Sequence, residues 1–272
     1  MESIMSWFWK MRTTTTTILT MISSIMICGR FEYCFGYQIL GEPKTTNQNN
    51  NNNNDIISIP LPHFDTTLDL YQQKREHDGS VSMPGTPWPA SYELVNYMTH
   101  PSNRNQFQDK TILELGSGLG ICSIVAALFL KPRRVVATDG SSTSLGLLHR
   151  NIQKYKLQSL NDNDGIIQVH SLDWGKPLSN NVRQSIHPKD YPDIVIASDV
   201  VYPRSDRIAL KQTLQEVCGK DTTFLLGHTW RVQVEEDDKF FDSIGIPYSS
   251  PRQPPFGSRR PSVSILEFKR RR

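Results

Sequence analysis

An open α/β fold, a mostly parallel sheet with helices on both faces, is what this chain predicts from residue 56 onward. Two observations predict it. Short apolar segments alternate with helical ones, the pattern of parallel strands joined by crossover helices. The first clear strand, Thr111 to Leu115 (TILEL), also runs into a glycine-rich turn and then an apolar stretch long enough to return across the sheet.

The other elements follow in order. Leu119 to Leu130 reads as the return helix, and Val135 to Asp139 as the second strand. Ser141 or Ser142 can cap a helix running to about Lys156, because a serine hydroxyl accepts from the N–H groups that a helix start leaves unpaired. Ile166 to His170 and Asp193 to Ala197 are the third and fourth strands. After Pro203 come a helix over about Asp206 to Val217, a strand at Thr222 to His228 and a helix near Glu235 to Ile244. Ser262 to Phe268 alternates and reads as a terminal strand. No internal repeat is found.

The chain has 272 residues and a formal net charge of +3, with basic residues scattered apart from Arg259, Arg260 and the run Lys269 to Arg272. So small a charge does not call for a nucleic-acid partner. Cys28, Cys34, Cys122 and Cys218 form no C-x-x-C pair and have no histidine at ligand spacing, so no metal site is expected. Residues 1–54 are expected to be a leader and linker, and residues 55–272 the catalytic domain. In the leader, Lys10 and Arg12 precede a threonine run and an apolar stretch, Ile18 to Cys28, which is shorter than the ~20 residues that cross a bilayer. This layout resembles a secretory signal, and the absence of acids between Glu2 and Glu32 also suits an organellar transit peptide. A disordered leader is equally compatible with it, with the domain itself expected in the cytoplasm. The amide tract Gln48 to Asn54 cannot bury apolar surface, so it is expected to be an unstructured linker with the folded part beginning after it.

Glu114-Leu115-Gly116-Ser117-Gly118-Leu119-Gly120 lies between strand and helix, where a Rossmann-like α/β sheet binds a nucleotide-like ligand. Glycines there let the chain turn tightly and let a ligand approach the main chain. The dinucleotide fingerprint G-x-G-x-x-G would need glycine at position 121, where this chain has Ile121; that departure favours S-adenosylmethionine (SAM) over NAD. Asp139 ends the second strand about twenty residues on, where a carboxylate can accept from ribose hydroxyls. Asp173 and Trp174 follow the third strand; the ring could stack on an adenine and the carboxylate accept from its exocyclic amine.

Together with these, Trp88-Pro89-Ala90, Ala137-Thr138-Asp139, Leu172-Asp173-Trp174-Gly175 and Ser198-Asp199-Val200-Val201-Tyr202 make the chain resemble the seven-β-strand methyltransferases. Within them it is similar to the methyltransferase-16 family of protein-lysine methyltransferases, over roughly residues 65 to 268. The resemblance implies a seven-stranded sheet with helices on both faces and the last strand antiparallel. It implies SAM contacts from Trp88, from the turn Gly116, Ser117 and Gly118, and from Asp139, Trp174 and Ser198, the last standing where the family often has alanine; Glu114 and Asp173 are further candidate cofactor contacts. The acceptor it implies is a lysine on a protein.

Methyl transfer to an amine is an in-line displacement that needs a neutral nitrogen held at attack distance and no covalent intermediate. Accordingly His149, His170, His187 and His228, which belong to no nucleophile motif, read as surface or core. Asp199 and Tyr202 leave the fourth strand at the sheet edge and are the expected catalytic pair, Asp199 anchoring the arriving ammonium and Tyr202 shaping its approach. Nucleic-acid amine methyltransferases resemble one another in an Asp/Asn-Pro-Pro-aromatic turn. Here the same spacing carries Val200 and Val201 in place of the prolines, which weakens that reading. The motifs are also compatible with a small-molecule or histidine acceptor, and with a non-catalytic module that keeps the fold as an interaction surface.

Overall fold

The computed structural model describes residues 44–46, 54–73, 85–157, 166–186, 191–202, 206–230, 234–249 and 263–269. The chain divides into two compact units, Met1–Ile39 and Leu40–Arg272, and all of the described residues belong to the second. The leader with Cys28 and Cys34, His187, Pro203, Arg231, Arg259, Arg260 and residues 270–272 lie outside the described residues.

Seven strands form one sheet: β4 (Thr111–Leu115), β5 (Arg134–Asp139), β6 (Ile167–Ser171), β7 (Ile194–Ser198), β8 (Thr223–Thr229), β9 (Tyr248–Ser249) and β10 (Val263–Phe268). Their order is β6-β5-β4-β7-β8-β10-β9. The first five are parallel, and β10 enters antiparallel to β8. All five residues of β4 are buried because the strand is covered on both faces, and Ile112, Leu113 and Leu115 supply its apolar part.

Among the described residues, six α-helices cover the two faces: α1 (Pro89–Thr99), α2 (Ile121–Phe129), α3 (Ser142–Lys154), α4 (Asn180–Ile186), α5 (Arg207–Val217) and α6 (Val234–Ser243). Alternate strand residues divide the core. Ile112, Val135, Ala137, Ile196 and Leu225 pack with α1, α2 and α3, while Leu113, Val136, Val195, Ala197 and Leu226 pack with α4, α5 and α6. Ser141 caps α3, its hydroxyl accepting from Ser144 N at 3.4 Å, and Asp206 caps α5 by accepting from Ala209 N at 2.9 Å. The helix expected from Leu119 starts instead at Ile121, because Gly118 and Gly120 both have left-handed backbone, φ +53 and +85.

A second, three-stranded sheet precedes these elements: β1 (Lys44–Thr46), β2 (Asn54–Leu61) and β3 (Thr66–Gln73), in that order. The amide tract therefore does not mark the start of the fold. Lys44–Thr46, on its N-terminal side, pairs with Ser58 to Ile56 and satisfies backbone groups along that edge of β2. Ile57, Ile59, Leu61, Leu68 and Leu70 of the hairpin are buried in the core that α1, α2 and α3 share. The other edge of the hairpin, β3, is closed by side chains of α3. Tyr155, just after the helix, accepts from Asp69 N at 2.7 Å and donates to Asp69 O at 3.0 Å. Asn151 pairs in the same way with Tyr71, accepting at 2.7 Å and donating at 3.1 Å. Two side chains one helical turn apart thus take the part of a neighbouring strand.

Candidate active site

The turn between β4 and α2 is held from below and from the side. Ser117 donates to the carbonyl of Thr138 from its backbone N at 2.9 Å and from its hydroxyl at 3.1 Å. The Thr138 hydroxyl returns a bond to Glu114 O at 2.7 Å. The Asp139 carboxylate accepts from Gly118 N at 2.9 Å on one oxygen and from Ser141 N at 2.8 Å on the other. Asp139 therefore stands half-buried at the rim of the turn, with a lone pair left on each oxygen for further donors. A side chain on Gly118 would point into open space, so the main chain there is accessible to a ligand.

Gly116 shows what else converges. It has φ +68, and a Cβ built on it would lie 2.9 Å from Val200 Cγ1 and 3.5 Å from Trp174 Cζ2. The turn after β7 and the indole after β6 are therefore packed against the glycine turn at one sheet edge. Asp173 lies beside Gly140, whose missing Cβ would be 3.3 Å from its Oδ1, and its other oxygen pairs with Lys176 at 2.7 Å in solvent.

Asp199 has left-handed backbone, φ 55, at the end of β7, and is 7% exposed. Its N–H donates to Gly227 O at 2.9 Å, and its Oδ2 accepts from the Thr229 hydroxyl at 2.9 Å. A non-glycine residue in that region costs about 1–2 kcal/mol, least for aspartate, so two bonds from β8 offset the conformation. Tyr202 closes the same turn and is half-buried. Gly227 also receives α1: a Cβ there would sit 2.7 Å from the Ala90 carbonyl oxygen. This close approach places the α1 start, with Trp88 as its N-cap and Pro89 in its first turn, over the end of β8.

Glu114, expected among the cofactor contacts, is 1% exposed and faces the first turn of α2. There it accepts from Ser123 N at 3.0 Å and from the Ser123 hydroxyl, so it braces the turn from beneath. Burial pushes its carboxyl up to about 7, against the lowering effect of those bonds. Burial also holds the Cys122 thiol well above its usual range, with the neighbouring Glu114 adding to the rise and the Ser198 hydroxyl opposing it. Ser198 is thereby placed on the α2 side of β7. Of the histidines, His228 is buried and bonded to Asp237 at 3.0 Å, and His170 contacts the Ser185 hydroxyl at 2.6 Å. The open groove of about 750 Å³ lined by Lys110, Asp193, Lys220 and Lys269 lies where the parallel strands begin and includes none of these site residues.

The expected residues on the glycine turn and after β5, β6 and β7 are thus gathered at one edge. Thr229, Gly227 and Asn151 were not foreseen. Of these only Gly227 carried a signal, since an isolated glycine inside a strand marks a close backbone approach.

A glycine turn after the first sheet strand, an acid ending the second and the 3-2-1-4-5-7-6 arrangement of the sheet define a methyltransferase-type cofactor fold. Two solved structures share it. T. thermophilus 16S rRNA N2 G1207 methyltransferase RsmC, in complex with AdoMet and guanosine, superposes with a TM-score of 0.53 at 14% identity, over 79% of this chain and 50% of that one. SMU.776 complexed with SAH gives 0.51 at 12% identity, over 79% and 56%. By sequence, residues 66–245 match the lysine methyltransferase family, methyltransferase-16, and the chain belongs to that family. It is 33% identical to mouse protein-lysine methyltransferase METTL21E over 58% of this chain and 60% of that protein. It is 29% identical to zebrafish protein N-lysine methyltransferase METTL21A over 58% and 65%. To the EEF1A lysine methyltransferase 3 of Xenopus tropicalis it is 29% identical over 62% and 68%. The chain thus spans less than two thirds of the length of the mouse relative.

Proposed function

We propose that this protein transfers a methyl group from SAM to the side-chain amine of a lysine on a protein substrate. The observation that carries this reading is the convergence at Gly116, where the Asp199-Val200 turn and the Trp174 indole meet the glycine turn of a lysine methyltransferase family member. The residues present fit the cofactor. The main chain at Gly118 is open, Asp139 keeps acceptor capacity at the rim for ribose hydroxyls, and Trp174 offers an aromatic plane beside the turn. Trp88, Asp173 and Ser198 complete the proposed contacts, with Glu114 acting through the turn. SAM supplies an electrophilic methyl group on a sulfonium.

What the chain must supply is a neutral amine, correctly aimed. A lysine with pKa near 10.4 is neutral in only about one molecule in 2,500 at pH 7, a cost of about 4.6 kcal/mol. Asp199 is held by Thr229 and Gly227 in one orientation, so it anchors the ammonium on arrival. A carboxylate raises the pKa of a bound amine, so Asp199 is an orienter, and the proton leaves to water as the amine is delivered. Tyr202 shapes the approach from the same turn.

The test is incubation of the purified chain with labelled SAM and cell extract, followed by mass spectrometry of the labelled band. The frog relative is named for EEF1A, which makes recombinant EEF1A the first defined acceptor to try. Asp199→Ala should lower turnover at least about a hundredfold with SAM affinity kept. A folded Asp199→Ala protein that turns over normally would refute its role.

A further inference from the structure

Asn151 is fully buried in α3 and bonds to two separate parts of the chain. Besides its pair of bonds to Tyr71 in the hairpin, its Nδ2 donates to the carbonyl of Leu119 at 3.0 Å. Leu119 lies between the left-handed Gly118 and Gly120, in the segment that leads from the cofactor turn into α2. In a longer helix its carbonyl would receive Ser123 N, but that donor is committed to Glu114. The carbonyl is served from α3 instead.

A segment of two glycines around one leucine is costly to order, because glycine gives up the most backbone freedom. One bond within the turn, Gly120 N to Ser117 O at 2.8 Å, closes it, and the rest of its hold comes from outside. Ser117 N and Gly118 N are tied to β5 through Thr138 and Asp139, and Leu119 O is tied to α3 through Asn151. The same amide group spans the hairpin and the turn, with both of its N–H bonds in use.

We infer that Asn151 is a positioning residue for the cofactor turn, and that through it the β2–β3 hairpin and SAM binding are coupled. This rests on reading Gly116 to Gly118 as the cofactor cradle. Coupling of this kind is reciprocal: whatever the hairpin does to SAM affinity, SAM does to hairpin order.

The test compares SAM binding by calorimetry in the full chain, Asn151→Leu and Tyr155→Phe, well below every unfolding midpoint. Tyr155→Phe removes the neighbouring bonds to Asp69 and leaves those of Asn151 to Tyr71 and Leu119 in place, so it reports the loss of a hairpin contact that does not lead to the turn. Asn151→Leu should weaken SAM binding about fivefold or more, while Tyr155→Phe stays within about twofold of the parent. Hydrogen exchange in the unsubstituted chain provides a second reading: SAM should slow the Tyr71 N–H, held by Asn151, more than the Asp69 N–H, held by Tyr155. Unchanged affinity in Asn151→Leu, equal weakening in both variants, or equal slowing of both N–H groups would each overturn the inference. If the unsubstituted chain does not bind SAM, the cofactor reading beneath it falls first.

Discussion

Asp139 and Glu114 are both acids beside the glycine turn, yet they predict different behaviour. Asp139 is accessible and already holds two backbone N–H groups. Asp139→Ala should therefore weaken SAM binding about tenfold or more, both by losing a charged acceptor and by freeing Gly118; calorimetry checks this. Glu114 is buried, and its carboxyl rises from the usual 4.5 to about 7. The folded chain thus keeps a proton that the unfolded chain releases, and stability falls as pH rises through that window. The stabilisation is complete below the unfolded value and is lost by about pH 7, an effect on the order of 3 kcal/mol at 1.36 kcal/mol per pH unit. Urea unfolding of the parent and of Glu114→Gln at pH 5 and pH 8 tests it: the parent should lose stability across the interval relative to the variant, in which only other groups such as His170, whose burial lowers its pKa, still contribute. Parallel losses would place the dependence elsewhere. The acids were legible in the sequence because each lies at the C-terminal end of a strand beside the glycine turn. Thr229 and Asn151 were not, since their partners lie 30 and 80 residues away and nothing local marks them.

At the scale of elements, α1 depends on a glycine in another strand. Gly227→Ala would drive a methyl group to 2.7 Å from the Ala90 carbonyl oxygen, a backbone atom that can retreat only if the helix start moves. Overpacking of this kind costs about 1–3 kcal/mol, and in a domain of this size each kcal/mol lowers the unfolding midpoint by about 2–4 °C. Since Trp88 caps the same helix, SAM affinity should fall as well. A variant with unchanged midpoint and affinity would mean that α1 shifts without cost to the site. Strands β4 to β8 and β10 were legible to within a residue or so, the central ones because a strand covered on both faces is largely apolar and β10 through its alternation. The hairpin was not, because Pro60 and the amide tract break its pattern and its stability comes from the α3 side chains. α4 is too short to show a period, and α1 was hidden because Ser91, Tyr97 and Thr99 stand among the apolar residues of its buried face.

For the whole molecule, the division at Ile39 predicts a difference between two truncations. Removing residues 1–39 should leave the cooperative unfolding of the remainder unchanged. Removing residues 1–53 also takes β1 from the edge of β2, which loses its pairing with Lys44–Thr46, so the midpoint should drop by several degrees. Thermal scans of the two truncated chains against the full chain decide it; equal midpoints would make β1 dispensable. The seven-stranded sheet and its antiparallel last strand were legible only through the family resemblance, and the strand order was not legible, because composition and periodicity define elements and leave their neighbours open.

The side chains that close β3 also bear on how copies of this protein treat one another. An alternating strand with free N–H and C=O groups is a template on which a second chain can add a strand, the first step of edge-to-edge aggregation. Asp69 and Tyr71 offer those groups at the outer edge of the hairpin, and Tyr155 and Asn151 occupy them before a neighbour can. The seal depends on polar side chains at the end of α3, with Lys154 Nζ also donating to Asp69 O at 2.8 Å, so fraying of that end would open it. Loss of either side chain should therefore show as faster growth of light scattering at high protein concentration, even under conditions where the fold itself survives.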